Sequence, residues 1–302
     1  MRKHKASRTA VRVSRIIAML ARQPRFAPLL PRGAAEASER LLHQVGLLRP
    51  WMLQILGAPW YGRLVSALER HTFPGMCLEI GLRKRFMDDE TRAALADGTR
   101  QVLVVGAGLD TLCWRLAPEF PEVTFVEVDH PATQAMKREA LGGMGPLPSN
   151  LHLAEADLSR VPLDEVLSRL PVWRMEAPSV VIIEAVLMYL DPASVSALLK
   201  ALHRSTGPGS QLLLTCVRND EHGRLRAGPV TRWVTETGLR RAGEPLLWDI
   251  REGELAFFME RHGFRLDESP ERVDLHRRYL VPAGLLEEPV EGVEFPAVAK
   301  RC

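Results

Sequence analysis

The sequence predicts an α/β protein built on a doubly wound, mostly parallel sheet of Rossmann-like type, and three observations carry that prediction. From Gln101 onward, short β-branched runs alternate with segments of helical period, as in a parallel sheet covered by helices on both faces. The first run, Gln101-Val102-Leu103-Val104-Val105, passes into Gly106-Ala107-Gly108 and then a helix start. The second, Val123 to Val128, ends on an acid, Asp129, eighteen residues after Thr111. Glycines let a backbone turn sharply against a nucleotide-sized ligand, and an acid at the end of the second strand can accept from both ribose hydroxyls.

The elements follow in order. Residues 1 to about 98 read as helical, with breaks at Pro24, Pro31-Arg32-Gly33, Gly57-Ala58-Pro59 and Phe73-Pro74-Gly75. Leu41, Leu42, Val45 and Leu48 fall at helical spacing, which assigns them to a core. Residues 1–35 hold nine Arg or Lys and no acid. This reads as a solvated basic arm whose later turns, Val11 to Leu20, cap the main domain. Contact with nucleic acid or an anionic membrane is the alternative, and nucleic acid is disfavoured because aromatics are not interleaved. Strands are expected near 101–105, 123–128, 150–154, 179–184 and 211–217, and helices near 109–117, 131–141, 162–170 and 192–205.

After Val217 the periodicity fades. Residues 218–250 are Arg- and Gly-rich with isolated Trp233 and Trp248, and a connection this long is usually a lid or a disordered insertion. A helix from Glu252 to Arg261, ended by Gly263, precedes a strand near 264–267, and a last strand-like stretch covers 292–298. The organisation expected is a helical arm and cap over 1–98, then a cofactor-binding Rossmann-like domain over 99–302 with a lid insertion at 218–250.

Composition narrows the function. An apolar fraction of 46%, a charged fraction of 25% and a net charge of +3 are ordinary for a globular chain. No apolar stretch is long enough to span a bilayer, and Ile16 to Leu20 is too short for a signal-peptide core. The four cysteines, Cys77, Cys113, Cys216 and Cys302, lie far apart without a CxxC pair, which predicts a reduced, cytoplasmic protein without structural metal.

The glycine loop narrows it further. A dinucleotide fingerprint wants a third glycine where pyrophosphate meets the helix N-terminus. Here the pattern is Gly106-x-Gly108-x-x-Thr111, with Asp110 beside that terminus. An anionic side chain there competes with phosphate. The loop therefore points to a cofactor with a ribose and no phosphates, of which S-adenosylmethionine is the common one. Two alternatives stand beside it: a plain strand-to-helix turn, and a nicotinamide-dependent oxidoreductase. The missing third glycine and the lack of a Tyr-x-x-x-Lys pair near the fourth strand count against the oxidoreductase. Glu127 is expected to point away from Asp129.

Three segments together resemble the leucine carboxyl methyltransferase-like family of S-adenosylmethionine-dependent methyltransferases, whose bacterial members include carboxyl and O-methyltransferases of polyketide-type metabolites. They are Arg83-Lys84-Arg85-Phe86-Met87-Asp88-Asp89, Gly106 to Thr111 running on to Glu127-Val128-Asp129-His130-Pro131, and Ile183-Glu184-Ala185-Val186-Leu187-Met188-Tyr189-Leu190. The resemblance covers roughly residues 75 to 205. It implies a class I methyltransferase-type sheet of seven strands, mostly parallel with the last antiparallel. By position it also implies that Arg83 pairs with the methionyl carboxylate, as a planar guanidinium can, with Arg85 the alternative if the register slips. Gly106 and Gly108 would face the cofactor by backbone, and Asp129 would hold the ribose. Asp157 and Leu158 would meet the adenine, with capping of a turn the less favoured alternative for Asp157. Val104 stands where other methyltransferases often carry an acid, a gap this family shares.

Glu184 has a case of its own, since a buried acid at a strand end needs a cation or donor; the methionyl ammonium or Arg83 would serve. Tyr189 lies in the loop where acceptor and methyl donor should meet, and a half-buried tyrosine with a wet hydroxyl is its plain alternative. The expected activity is O-methylation of a carboxylate or hydroxyl on a small-molecule, secondary-metabolite acceptor, with Trp233 and Trp248 covering it. Carboxyl methylation of a protein or peptide, and cofactor binding without catalysis, are the other readings. A carboxylate nucleophile needs no base. A hydroxyl would use one, and His130, His203 and His222 are present by residue type, as are Arg224, Arg226, Arg232 and Arg240 for steering an anion.

Overall fold

The computed structural model describes residues 7–217, 229–243, 245–267, 274–290 and 294–302. Five helices come first: α1 (Arg8–Leu20), α2 (Ala34–Gln44), α3 (Pro50–Gly57), α4 (Pro59–Arg70) and α5 (Met76–Ala96). They are separated where proline and glycine interrupt the sequence. Pro50 and Pro59 each open a helix, where a missing N–H costs nothing. Leu41, Leu42 and Leu48 are buried with Ala140 and Leu141, and Val45 packs half-buried against them.

The sheet contains β1 (Gln101–Val105), β2 (Thr124–Asp129), β3 (Leu151–Glu155), β4 (Val180–Ile183), β5 (Gln211–Val217), β6 (Phe264–Leu266) and β7 (Glu294–Arg301). Their spatial order is β3-β2-β1-β4-β5-β7-β6. Strands β1 to β5 are mutually parallel, and β7 runs antiparallel to both β5 and β6. The remaining helices are α6 (Leu112–Leu116), α7 (Pro131–Gly142), α8 (Leu163–Ser168), α9 (Pro192–Ser205), α10 (Pro229–Ala242) and α11 (Glu252–Glu260).

Alternation along the strands divides the core into two layers. Leu103, Val105, Val126, Val128, Val181 and Ile183 pack with α8, α9 and α11, whereas Val102, Val104, Phe125, Val180 and Ile182 pack with α5 and α6. Strand order reverses between β1 and β4, and the carboxyl ends of strands at such a reversal are where ligands of open α/β sheets bind.

Several expectations are corrected. The helix after the glycine loop starts at Leu112, not Leu109, because Gly108 is left-handed and the Asp110 carboxylate accepts from the Leu112 amide at 2.6 Å. Residues 229–242 form a helix despite their weak period. Trp248 is not an open cover. It is buried in the core with its ring tilted 5.6 Å from that of Phe258, while Trp233 on α10 is exposed. Residues 218–228, with His222, Arg224 and Arg226, lie outside the described residues. No helix among the described residues is long and apolar enough to cross a membrane.

Candidate active site

The glycine loop leaves β1 with Gly106 at φ 69° and Gly108 at φ 53°, both in the left-handed region that favours glycine. The Gly108 amide donates to Asp129 Oδ2 and the His130 amide to Oδ1, each at 2.5 Å. Burial pushes the Asp129 carboxyl up, and these two amides pull it part of the way back. A carboxylate has about four acceptor positions, so Asp129 retains capacity for further donors. A Cβ at Gly106 would collide with Val186 Cγ2, and one at Gly108 would sit 3.1 Å from Ala10 Cβ. The loop after β4 and helix α1 thus close directly over the glycines, and the Ser7 amide reaches Thr133 Oγ1 at 3.4 Å.

Beside the loop, α5 carries a buried charge cluster. Arg83 Nη1 lies 2.6 Å from Glu294 Oε1 and 3.3 Å from Glu79 Oε1, and its Nε is 3.6 Å from Glu184 Oε1. That Nε is buried without a hydrogen-bond partner. Lys84 pairs with Asp110 and, at 2.8 Å, with Glu184 Oε2. Burial opposes ionisation of Asp110, but the charges of Lys84 and Lys137 together with hydrogen bonds from Lys84 and the Leu112 amide hold the carboxyl well below the usual range. Two cations thus face four acids. Glu294 is further fixed by Thr215 Oγ1, which donates to its Oε2 at 2.6 Å. Arg85 takes no part, since its Nε donates to Asp89 at 2.8 Å.

A second buried pair lies on β2. Glu127 shares a face with Asp129, contrary to expectation, because alternation has period two and residues 125, 127 and 129 line one side. Lys137 on α7 is fully buried, with Nζ 2.5 Å from Glu127 Oε2 in an ion pair. Burial raises the Glu127 carboxyl, with Lys137 opposing. Burial, together with the nearby Glu127 charge, pushes the Cys113 thiol up.

At the far end, Asp157 is engaged by its own turn: Oδ1 accepts from the Ser159 amide at 3.1 Å and from Ser159 Oγ at 2.5 Å. Leu158 packs half-buried on the sheet core. After β4, Ala185 adopts φ 55°, which costs a non-glycine residue about 1 kcal/mol; its amide donates to Thr215 Oγ1 at 2.8 Å. This turn ends the strand before Glu184 and presents an apolar cluster of Phe73, Met188 and Val217 with Met76, Ala185, Tyr189 and Leu246 packed on it. His130 caps α7 and His203 stacks edge-on against Phe264.

The structure therefore brings Arg83, Gly106, Gly108, Asp129 and Glu184 to one end of the sheet, with Tyr189 in the adjoining loop. Sequence reasoning missed Lys84, Glu294 and Lys137. Only Lys137 left a signal, since it lies at helical spacing with the buried Thr133, Ala140 and Leu141.

Residues 35–203 match the sequence profile of the leucine carboxyl methyltransferase family. An inferred S-adenosyl-L-methionine-dependent methyltransferase of Parafrankia sp. (strain EAN1pec) is 36% identical over 137 residues, spanning 45% of this chain and 43% of that relative. Another, from Mycobacterium bovis (strain BCG / Pasteur 1173P2), is 29% identical over 226 residues, 71% of this chain and 72% of the relative. Among solved structures, a DUF574 family protein from Streptomyces avermitilis superposes with a TM-score of 0.60 at 17% identity, covering 89% of this chain and 98% of that one. That likeness is one of fold.

Proposed function

Because the chain belongs to the leucine carboxyl methyltransferase family, we propose that it places a methyl group on a carboxylate or hydroxyl oxygen of an apolar small molecule. It is an S-adenosylmethionine-dependent methyltransferase, and its residues suit that cofactor. The observation that carries the reading is the charge of the glycine-loop end of the sheet. Four acids against two cations would repel a pyrophosphate and favour a ligand that is cationic overall. Bound S-adenosylmethionine supplies an electrophilic sulfonium methyl.

Asp129 would accept from the ribose hydroxyls with the acceptor positions that Gly108 and His130 leave. Gly106 and Gly108 would lie against the cofactor by backbone. Glu184, with Lys84 and Arg83 beside it, would hold the methionyl ammonium, and the buried Arg83 Nε offers a donor to the methionyl carboxylate. Asp157 and Leu158 would border the adenine, with Leu158 against the ring. The acceptor would rest on the apolar cluster around Phe73 and Met188, and Tyr189 would contact it. Alignment and exclusion of water are then the main tasks left to the protein. His130 and His203 are occupied elsewhere, so an acceptor that is already ionised, a carboxylate, makes the fewest demands. A small acidic secondary metabolite in a reducing cytoplasm fits these features.

Calorimetry with S-adenosylhomocysteine and with NAD tests the cofactor site, and binding of the former alone is expected. Binding of NAD alone would return the loop to the dinucleotide class. Incubation with methyl-labelled S-adenosylmethionine in a cell extract tests the acceptor. Label in solvent-extractable material supports a small molecule, and label retained in protein would replace it with a peptide carboxylate.

A further inference from the structure

We propose that helices α3 and α4 dock this protein onto an anionic lipid surface. Neither helix contains a buried residue. On their inner sides, Leu56, Tyr61 and Val65 are half-buried against a cluster formed by α1, Leu30 and the start of α5. Their outer sides are also apolar: Trp60 (57% exposed), Leu64 and Leu68 (61%) recur every fourth residue on α4, and Trp51 (55%) and Ile55 do so on α3. On each helix a stripe at that spacing lies on one face, and here it meets solvent.

Charge identifies the occupant. Residues 7–75 carry ten arginines and three acids, whereas residues 76–302 carry 27 basic and 34 acidic residues. The positive charge of the chain is therefore gathered in the segment that bears the stripe. Arg49, Arg63 and Arg70 are exposed along it. The acid on α4, Glu69, is drawn inward, where its Oε1 accepts from the Cys77 amide at 2.9 Å. Exposed tryptophan and leucine flanked by arginine is the composition of a surface that sinks into the headgroup boundary while its cations meet anionic lipid.

A second copy of the chain fits less well. A two-fold contact would set the same arginines against one another, and five side chains offer roughly 500 Å², short of the ~800 Å² per partner of a stable interface. Nucleic acid would use the arginines and leave the stripe in water. The docking surface is independent of the acceptor's identity and of the cofactor assignment.

The test is co-sedimentation of the full chain with vesicles of phosphatidylcholine alone or with about one-third phosphatidylglycerol, at low and high salt. Binding should require the anionic lipid and fall at least tenfold as salt shortens the Debye length to about 3 Å. The double variant Trp60→Ser/Leu64→Ser should lose about tenfold in partitioning, and Arg63→Glu/Arg70→Glu at least as much, with S-adenosylhomocysteine binding kept in both. Brominated acyl chains should quench tryptophan fluorescence in the wild type and less so in Trp51→Phe/Trp60→Phe. No sedimentation, or sedimentation indifferent to the serine pair, overturns the proposal. So does a dimer in light scattering that Trp60→Ser dissociates, which would assign the face to a second copy.

Discussion

Helices α4 and α5 are neighbours in sequence and break the amphipathic rule in opposite directions. Helix α5 takes charge inward: Glu79, Arg83, Asp88 and Glu90 are all buried. Each has a partner from another element or turn, Asp88 with Arg92 and Arg115, Glu90 with Arg278, and Arg83 with Glu184 and Glu294. Helix α4 contains no fully buried residue and turns Trp60, Leu64 and Leu68 outward. Ordinary burial would have exchanged these sets. The charges inside α5 persist because they are paired beside the glycine loop. The apolar face of α4 has no such compensation within the described chain, which is why its partner is sought outside it.

The largest effect is expected at the centre of the α5 cluster. Arg83→Met would leave Glu79, Glu184 and Glu294 facing one another and should cost about 3–5 kcal/mol in urea unfolding at unchanged m-value. Glu294→Gln should cost less, about 1–2 kcal/mol, because acids already outnumber cations there. Equal losses would show that the cluster is held by hydrogen-bond geometry and not by charge balance. Beyond α5, Lys137→Met should cost about 3 kcal/mol, and adding Glu127→Leu should restore most of it, since an apolar pair replaces a buried ion pair at little cost. A double variant no better than the single one would mean that Lys137 serves another partner.

Acid sharpens the contrast further. The Asp110 carboxyl is depressed in the folded state, so its contribution is present above its ordinary value of 3.8 and is lost as pH falls through the lowered folded value. Lys84→Met removes the cation paired with Asp110, so the acid unfolding midpoint should move to higher pH. An unchanged midpoint would detach Asp110 from Lys84. The smallest effect belongs to α4, where Trp60→Ser with Leu64→Ser should stay within about 0.5 kcal/mol of wild type in the same unfolding assay. A loss of 2 kcal/mol would show that the face is packed in solution, and the contrast with α5 would disappear.

Much of this was legible beforehand. β1 and β5 cover 101–105 and 211–217 as expected, and the helix breaks fall at the prolines and glycines that force them. Gly106, Gly108 and Asp129 could be placed together because a strand, a turn and the next parallel strand are a local unit. Lys84 was not legible, since nothing in Arg83-Lys84-Arg85 says which cation turns inward. Glu294 was not either, because it reaches Arg83 through a strand at the other end of the chain. Trp248 looked like a cover for an acceptor because an isolated tryptophan in an aperiodic segment carries no sign of its burial.

The sequence by itself determined the α/β alternation, the glycine loop and the acid that faces it, since strand and helix periods and the left-handed preference of glycine act over a few residues. It also determined the polarity of charge along the chain, which requires no folding at all. Only the tertiary structure decided which buried charges meet, that Lys137 comes to Glu127, and that α4 shows an apolar face to solvent. Those outcomes depend on how sheet twist and helix packing bring distant residues within 4 Å, and a buried charge is tolerated only where such a partner arrives.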